Sequence, residues 1–208
     1  MKQAIARIAL LALLVAVGMA PAFADDVLYT NGPPNGSITG WSISAGDYVE
    51  DSFIMSSTAQ VWGFTIGVWE NPGDTLTSVG WAIETGPGGT VIASGTALVS
   101  QTFDFSAGGS FNYDIDLATG PAGPVELGTG TYYLELSNAQ TVSGNPVFWD
   151  QNNGVGSSPG GPSLAYADGV SVGSEAFDVE APEPATFGLL GIGVFGMFAL
   201  LRRRIARS

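Results

Sequence analysis

The chain has 208 residues, with six Lys or Arg against nineteen Asp or Glu and neither histidine nor cysteine. This composition excludes disulfides, cysteine or histidine zinc sites and every mechanism that pairs a nucleophile with histidine. A net charge of −13 also leaves no electrostatic basis for nucleic-acid binding.

The first segment carries Lys2 and Arg7, an apolar run over 8–17, and the small-x-small sequence Ala22-Phe23-Ala24. This is the pattern of a secretory signal peptide, with residues 1–24 removed by signal peptidase before Asp25. The apolar run is too short to span a bilayer. Beyond it, residues 25–180 hold eighteen acids and no Lys, Arg or His, so no side-chain salt bridge can form there. Stability in that stretch has to come from apolar burial and backbone hydrogen bonding.

Residues 25–180 read as one ectodomain of short strands separated by turns. A strand over 27–29 precedes the breaker cluster Asn31-Gly32-Pro33-Pro34, and Trp41 and Ile43 alternate with serines in a second. The third, over 48–55, places Val49, Phe53 and Met55 on one face with Asp51 intruding. A buried carboxylate there needs partners, so a bulge or an edge position is expected. Residues 61–69 put Trp62, Phe64, Ile66 and Val68 on one face and end at the turn Asn71-Pro72-Gly73-Asp74. Val79, Trp81 and Ile83 alternate next, followed by the turn at 86–89 and a strand over 90–99. Phe103 with Phe105, and Phe111 with Tyr113, Ile115 and Leu117, have strand spacing, and 119–130 reads as a Gly/Pro-rich loop. In the strand over 130–136, Tyr132, Leu134 and Leu136 share a face, and the Tyr132 hydroxyl is placed to bond back to a loop. Weaker strands fall at 146–150, 163–167 and 176–179. No helical periodicity occurs between 25 and 180. The expected fold is all-β, a two-sheet antiparallel sandwich of jelly-roll type.

Three chemistries fit the residue types. A glycosidase-like carboxylate pair is the one catalytic option left, but no pattern sets two acids across a cleft, so no enzyme is expected. Sugar stacking needs exposed aromatic faces. Alternation assigns Trp41, Trp62 and Trp81 to the core and leaves Trp69 and Trp149 as the candidate platform. Calcium needs grouped oxygens. Asp114 and Asp116 stand two apart in a strand with Asp104 nearby, and Asp150, Asn152 and Asn153 sit close together in a presumed turn. Neither set has the spacing of an EF-hand loop.

The C-terminal segment is the most specific. Pro182-Glu183-Pro184 is followed by seventeen uncharged residues, 185–201, and then by Arg202, Arg203, Arg204 and Arg207. As a helix the span rises about 25 Å, and the arginines can snorkel to reach the headgroups and stay on the cytoplasmic side. Residues 181–208 closely resemble the PEP-CTERM sorting signal of exopolysaccharide-producing bacteria. The resemblance implies processing by an exosortase near the Pro-Glu-Pro motif. It also implies a membrane-anchored precursor that ends at the cell surface or in the extracellular matrix. The ectodomain resembles other PEP-CTERM ectodomains around Trp69 to Asp74 and in the Gly-Thr-Tyr-Tyr-Leu strand. A structural or adhesive role is expected, with a carbohydrate-binding module for exopolysaccharide as the alternative.

Overall fold

The computed structural model describes residues 27–35, 37, 39–107, 113–152 and 163–181, without the side chains of 104–107 and 113–123. Thirteen strands form among the described residues. They are β1 (Val27–Thr30), β2 (Gly40–Ser42), β3 (Tyr48–Met55), β4 (Ala59–Glu70), β5 (Leu76–Glu84), β6 (Val91–Leu98) and β7 (Ser100–Ala107). β8 (Tyr113–Leu127), β9 (Gly130–Thr141), β10 (Phe148–Asp150), β11 (Ala165–Ala167), β12 (Val170–Val172) and β13 (Phe177–Glu180) follow. All pairings are antiparallel and fall into two sheets. The first is built on β4, with β8 and then β7 on one side and β13–β1 and β10–β2 sharing the other; the second runs β12-β11-β3-β9-β5-β6.

The chain changes sheet at most of its connections, so the core is sealed by residues far apart in sequence. Tyr29, Phe53, Phe177 and Trp149 meet there, with Tyr29 and Trp149 ring centroids 5.7 and 5.5 Å from Phe177. Alternation supplies the rest of the inner face: Val49, Phe53 and Met55 from β3, Val79, Trp81 and Ile83 from β5, Leu134 and Leu136 from β9. The Tyr132 hydroxyl donates to the Gly128 carbonyl at 3.3 Å, as its strand position suggested.

Two expectations from the sequence change. Residues 119–127 are not loop: β8 continues to Leu127 and pairs with β4 along its length. Its prolines are accommodated because the register shifts between Val61 and Gly63, where Pro121 faces Gly63. The same irregularity breaks the alternation of β4. Val61 and Phe64, three apart, both enter the core, and Trp62 between them is turned outward. Also, β3 is neither bulged nor at an edge. It pairs with β9 without a break from Tyr48 to Met55 and with β11 on its other side, so Asp51 is truly interior.

β12 had no sequence expectation, although Asp168-Gly169 is a hairpin signal and both residues adopt positive φ, 48° and 78°. No helix among the described residues is long and apolar enough to cross a membrane. The expected signal peptide with its expected cleavage residues Ala22, Ala24 and Asp25, the expected membrane span over 185–201, Pro182, Glu183, Pro184 and Arg202 to Arg204 lie outside the described residues.

Candidate functional site

The tryptophans reverse their expected roles. Trp69 and Trp149 are buried, at 1% and 0% exposure, so they form no sugar-stacking platform. Trp149 enters the core because β10 pairs with β4 there, opposite Val68, and its Nε1 donates to the Ala176 carbonyl at 2.9 Å. Trp69, one residue on, lies on the other face of β4, and its indole N–H donates to Asp150 Oδ1 at 2.5 Å. That face is covered where Pro34 packs on Gly67: a Cβ on Gly67 would sit 2.6 Å from Pro34 Cγ. Trp41 and Trp62 are the exposed pair, each 45% accessible. Trp41 faces Trp149 in register but stands on β2, an edge strand, so half its ring meets solvent. Trp62 is six positions along β4 from the Val68 attachment of β10, about 20 Å away at strand rise. The two therefore form no common surface.

Asp150 is no solvated turn residue either. It is fully buried, and burial pushes its carboxyl up to about 7 despite the Trp69 indole N–H and nearby backbone N–H groups. Asp114 and Asp116 are in register with Glu70 and Val68 on the far side of β4 from Asp150, roughly two strand spacings away. Their side chains and that of Asp104 lie outside the described residues, as does Asn153.

What the fold assembles around Asp150 is a different group of polar residues. Asp51, from the interior of the second sheet, receives the backbone N–H of Glu175 at 2.6 Å on Oδ2. The same oxygen lies 3.0 Å from Asn31 Nδ2 and 3.1 Å from Ser163 Oγ. Asn152 donates through Nδ2 to the Glu175 carbonyl at 2.9 Å and to the Asn31 carbonyl. Glu175 is bridged to Gln151 and is fully buried. Burial raises the Asp51 carboxyl to about 7 although four hydrogen bonds oppose it. Burial also raises the Glu175 carboxyl well above its usual range, helped by the charges of Asp51 and Asp150 and opposed by the Gln151 side chain. The sequence exposed Asp51 as an acid on an apolar face. Glu175 gave no such signal, because its burial goes with an isolated bridge to Gln151, 24 positions upstream and just past the end of β10.

A second set of acids lies on the opposite side of the second sheet. Glu50, Glu84 and Glu135 come from three adjacent strands, and one oxygen of each lies within 4.8 Å of the others. Backbone N–H groups of the β5–β6 turn serve two of them: Gly88 donates to Glu50 at 3.0 Å and Gly89 to Glu84 at 2.9 Å. Burial raises the Glu50 carboxyl against the Gly88 N–H, and burial with the Glu84 charge raises that of Glu135. Beside these acids runs an open trough of about 590 Å³. Ser78, Ser94, Thr96, Ser137, Asn138 and Gln140 line it, and small residues of β5 keep it shallow. Its hydroxyls, amides and carboxylates can exchange hydrogen bonds with a polar ligand; the aromatic in its lining, Trp81, is buried.

The comparisons with known proteins bear on the tail. No curated protein matches the chain. A family model, the PEP-CTERM protein-sorting motif, matches residues 180–204. The chain thus carries the signal of an exported, membrane-passing exosortase substrate that ends up on the cell surface.

Proposed function

We propose that the ectodomain is a non-catalytic structural or adhesive component of the cell surface or its extracellular matrix. The observation that carries this reading is the sorting motif at 180–204, attached to an all-β sandwich. Signal peptidase and then the exosortase act on the chain as processing enzymes, the second near Pro182-Glu183-Pro184. Replacing those three residues by alanine leaves an uncut, membrane-bound form. The intact mass of the surface protein, from cells with and without the exosortase, tests the step. A product keeping its arginine tail in both strains would overturn it.

A carbohydrate-binding role for the exported domain remains the second reading, moved from the tryptophans to the trough. Its support is the row of neutral hydrogen-bonding side chains there, suited to sugar hydroxyls. The experiment is retention of the purified protein on the producer's own exopolysaccharide. Retention lost on Ser94→Trp, which fills the trough, supports sugar binding. No retention leaves the structural role, and retention unchanged by that substitution rules out the trough.

A further inference from the structure

The cluster around Asp51 and Glu175 is short of positive charge. Asp51 Oδ1, Asp150 Oδ2 and both carboxylate oxygens of Glu175 are buried with no partner at hydrogen-bond distance among the described residues, the Gln151 amide standing near Glu175 but beyond that reach. All three residues are 0% exposed, and no Lys, Arg or His exists anywhere in 25–180 to neutralise them. A buried carboxylate without a counter-charge is destabilising by several kcal/mol, so each of these groups must either hold a proton or meet a cation from outside the chain.

The neutral groups are arranged in the same sense. Four oxygens surround a single nitrogen, Asn31 Nδ2: Asp51 Oδ2 at 3.0 Å, Ser163 Oγ at 2.8 Å, Ser174 Oγ at 2.9 Å and the Glu175 carbonyl at 2.7 Å. An amide nitrogen has two protons, so it cannot serve four acceptors. Ser163 Oγ and Ser174 Oγ also crowd each other and Asp51 Oδ2. The site is an oxygen-rich shell gathered around the Asn31 amide, and Asp51 and Glu175, which both contribute to it, also carry buried carboxylate oxygens without a partner among the described residues.

We propose that Asp51 and Glu175 hold a calcium ion where the two sheets meet, with Ser163, Ser174 and the Glu175 carbonyl as neutral oxygen ligands. Asp150 adds its charge from the neighbouring strand. Calcium fits because every donor is oxygen and the set is irregular; magnesium demands near-octahedral geometry and retains waters that a fully buried site does not admit. The ion would tie β3 to the segments flanking the β11–β12 hairpin, Ser163 before it and Ser174 and Glu175 after it. Outside the cell, where the sorting motif sends the protein, calcium is abundant enough for a site of modest affinity. The Glu50–Glu84–Glu135 group brings its oxygens closer together but has backbone N–H donors and a half-exposed member. It lacks the buried unpartnered oxygens that mark the inner site.

The test uses the full chain in detergent micelles, stripped with a chelator and then titrated with calcium chloride, with magnesium chloride at matched ionic strength as the second arm. One calcium per chain is expected by calorimetry. At a hundredfold excess over Kd the melting temperature should rise by roughly 5–10 °C, with no comparable rise from magnesium. Glu175→Gln should abolish the calcium-specific rise, while Glu84→Gln should leave it intact. Equal effects of the two ions, or no bound calcium in the wild-type protein, would overturn the proposal. So would a calcium response lost in Glu84→Gln but kept in Glu175→Gln. Should Glu175→Gln fail to fold, the wild-type stoichiometry and ion selectivity still decide.

Discussion

Glu50, Glu84 and Glu135 on the outside of the second sheet and Asp51, Asp150 and Glu175 within are both trios of carboxylates in a domain without a base. Distance ranks the outer trio first, since its oxygens lie within 4.8 Å of one another. Satisfaction ranks them the other way. The outer acids accept turn N–H groups, and Glu135 keeps contact with solvent; the inner acids keep four buried oxygens without partners. Proximity of like charges shows only that a sheet face is acidic. A buried carboxyl without a partner has to hold a proton or meet a cation. Asp74 marks the opposite extreme: burial pushes its carboxyl up, but Thr75 N–H, Asn145 Nδ2, Ser143 N–H and Thr141 together hold it at about 2.

Removing an inner acid should have the largest effect. Asp51→Ala would leave the Asn31, Ser163 and Glu175 donors without their acceptor, and a loss of about 3 kcal/mol or more is expected in urea unfolding. A change below 1 kcal/mol would show that the inner trio is no more demanding than the outer.

Next is pH, in the chelated protein. Asp51, Asp150, Glu175, Glu50, Glu135 and Asp178 all have raised carboxyls, from burial in each case. Each binds its proton more tightly folded than unfolded, so its contribution is complete below the unfolded value and lost as pH rises through the folded one, which is about 7 for Asp51 and Asp150. Asp74 acts in reverse, losing its contribution as pH falls from about 4 to about 2. Melting temperatures should therefore peak near pH 4–5 and decline toward pH 7.5. A flat profile over that range would mean that the inner acids are already neutralised without added ions.

A smaller change tests the link from Trp69 to the cluster. Trp69→Phe removes the donor to Asp150 and some buried surface, and about 2 kcal/mol of destabilisation is expected. Trp62→Phe, on the exposed side of the β4 irregularity, should stay within about 0.5 kcal/mol. Equal effects would erase the distinction between the two tryptophans.

The smallest effect belongs to the outer trio. Glu135→Gln relieves repulsion from Glu84 and should raise the melting temperature at neutral pH by one or two degrees, roughly 0.5 kcal/mol. A marked fall would mean that these acids also depend on a bound cation.

Much of this was readable from the sequence wherever a single strand carried its own information. Alternation located β3, β5 and β9 and their inner faces, and Asp51 stood out as the acid among Val49, Phe53 and Met55. Where neighbours decide, alternation misled. Trp62 was assigned inward because nothing local announces that β4 breaks step opposite the prolines of β8. Trp69 and Trp149 were assigned outward because their burial depends on β10 docking beside β4 and on Pro34 covering Gly67. Glu175 carried no signal at all, since its neighbour Gln151 lies in a distant segment just past β10.

The sequence by itself determined the address and the electrostatic terms. The motif at 180–204 is contiguous, and a chain with no base between 25 and 180 cannot form an internal salt bridge in any fold. Only the tertiary structure decided which of eighteen like charges are left in need of a partner. A carboxylate on a strand meets solvent, a backbone N–H or another acid according to which distant segments pack against it. Here those segments lie as far apart in the chain as Asn31, Asp51 and Glu175.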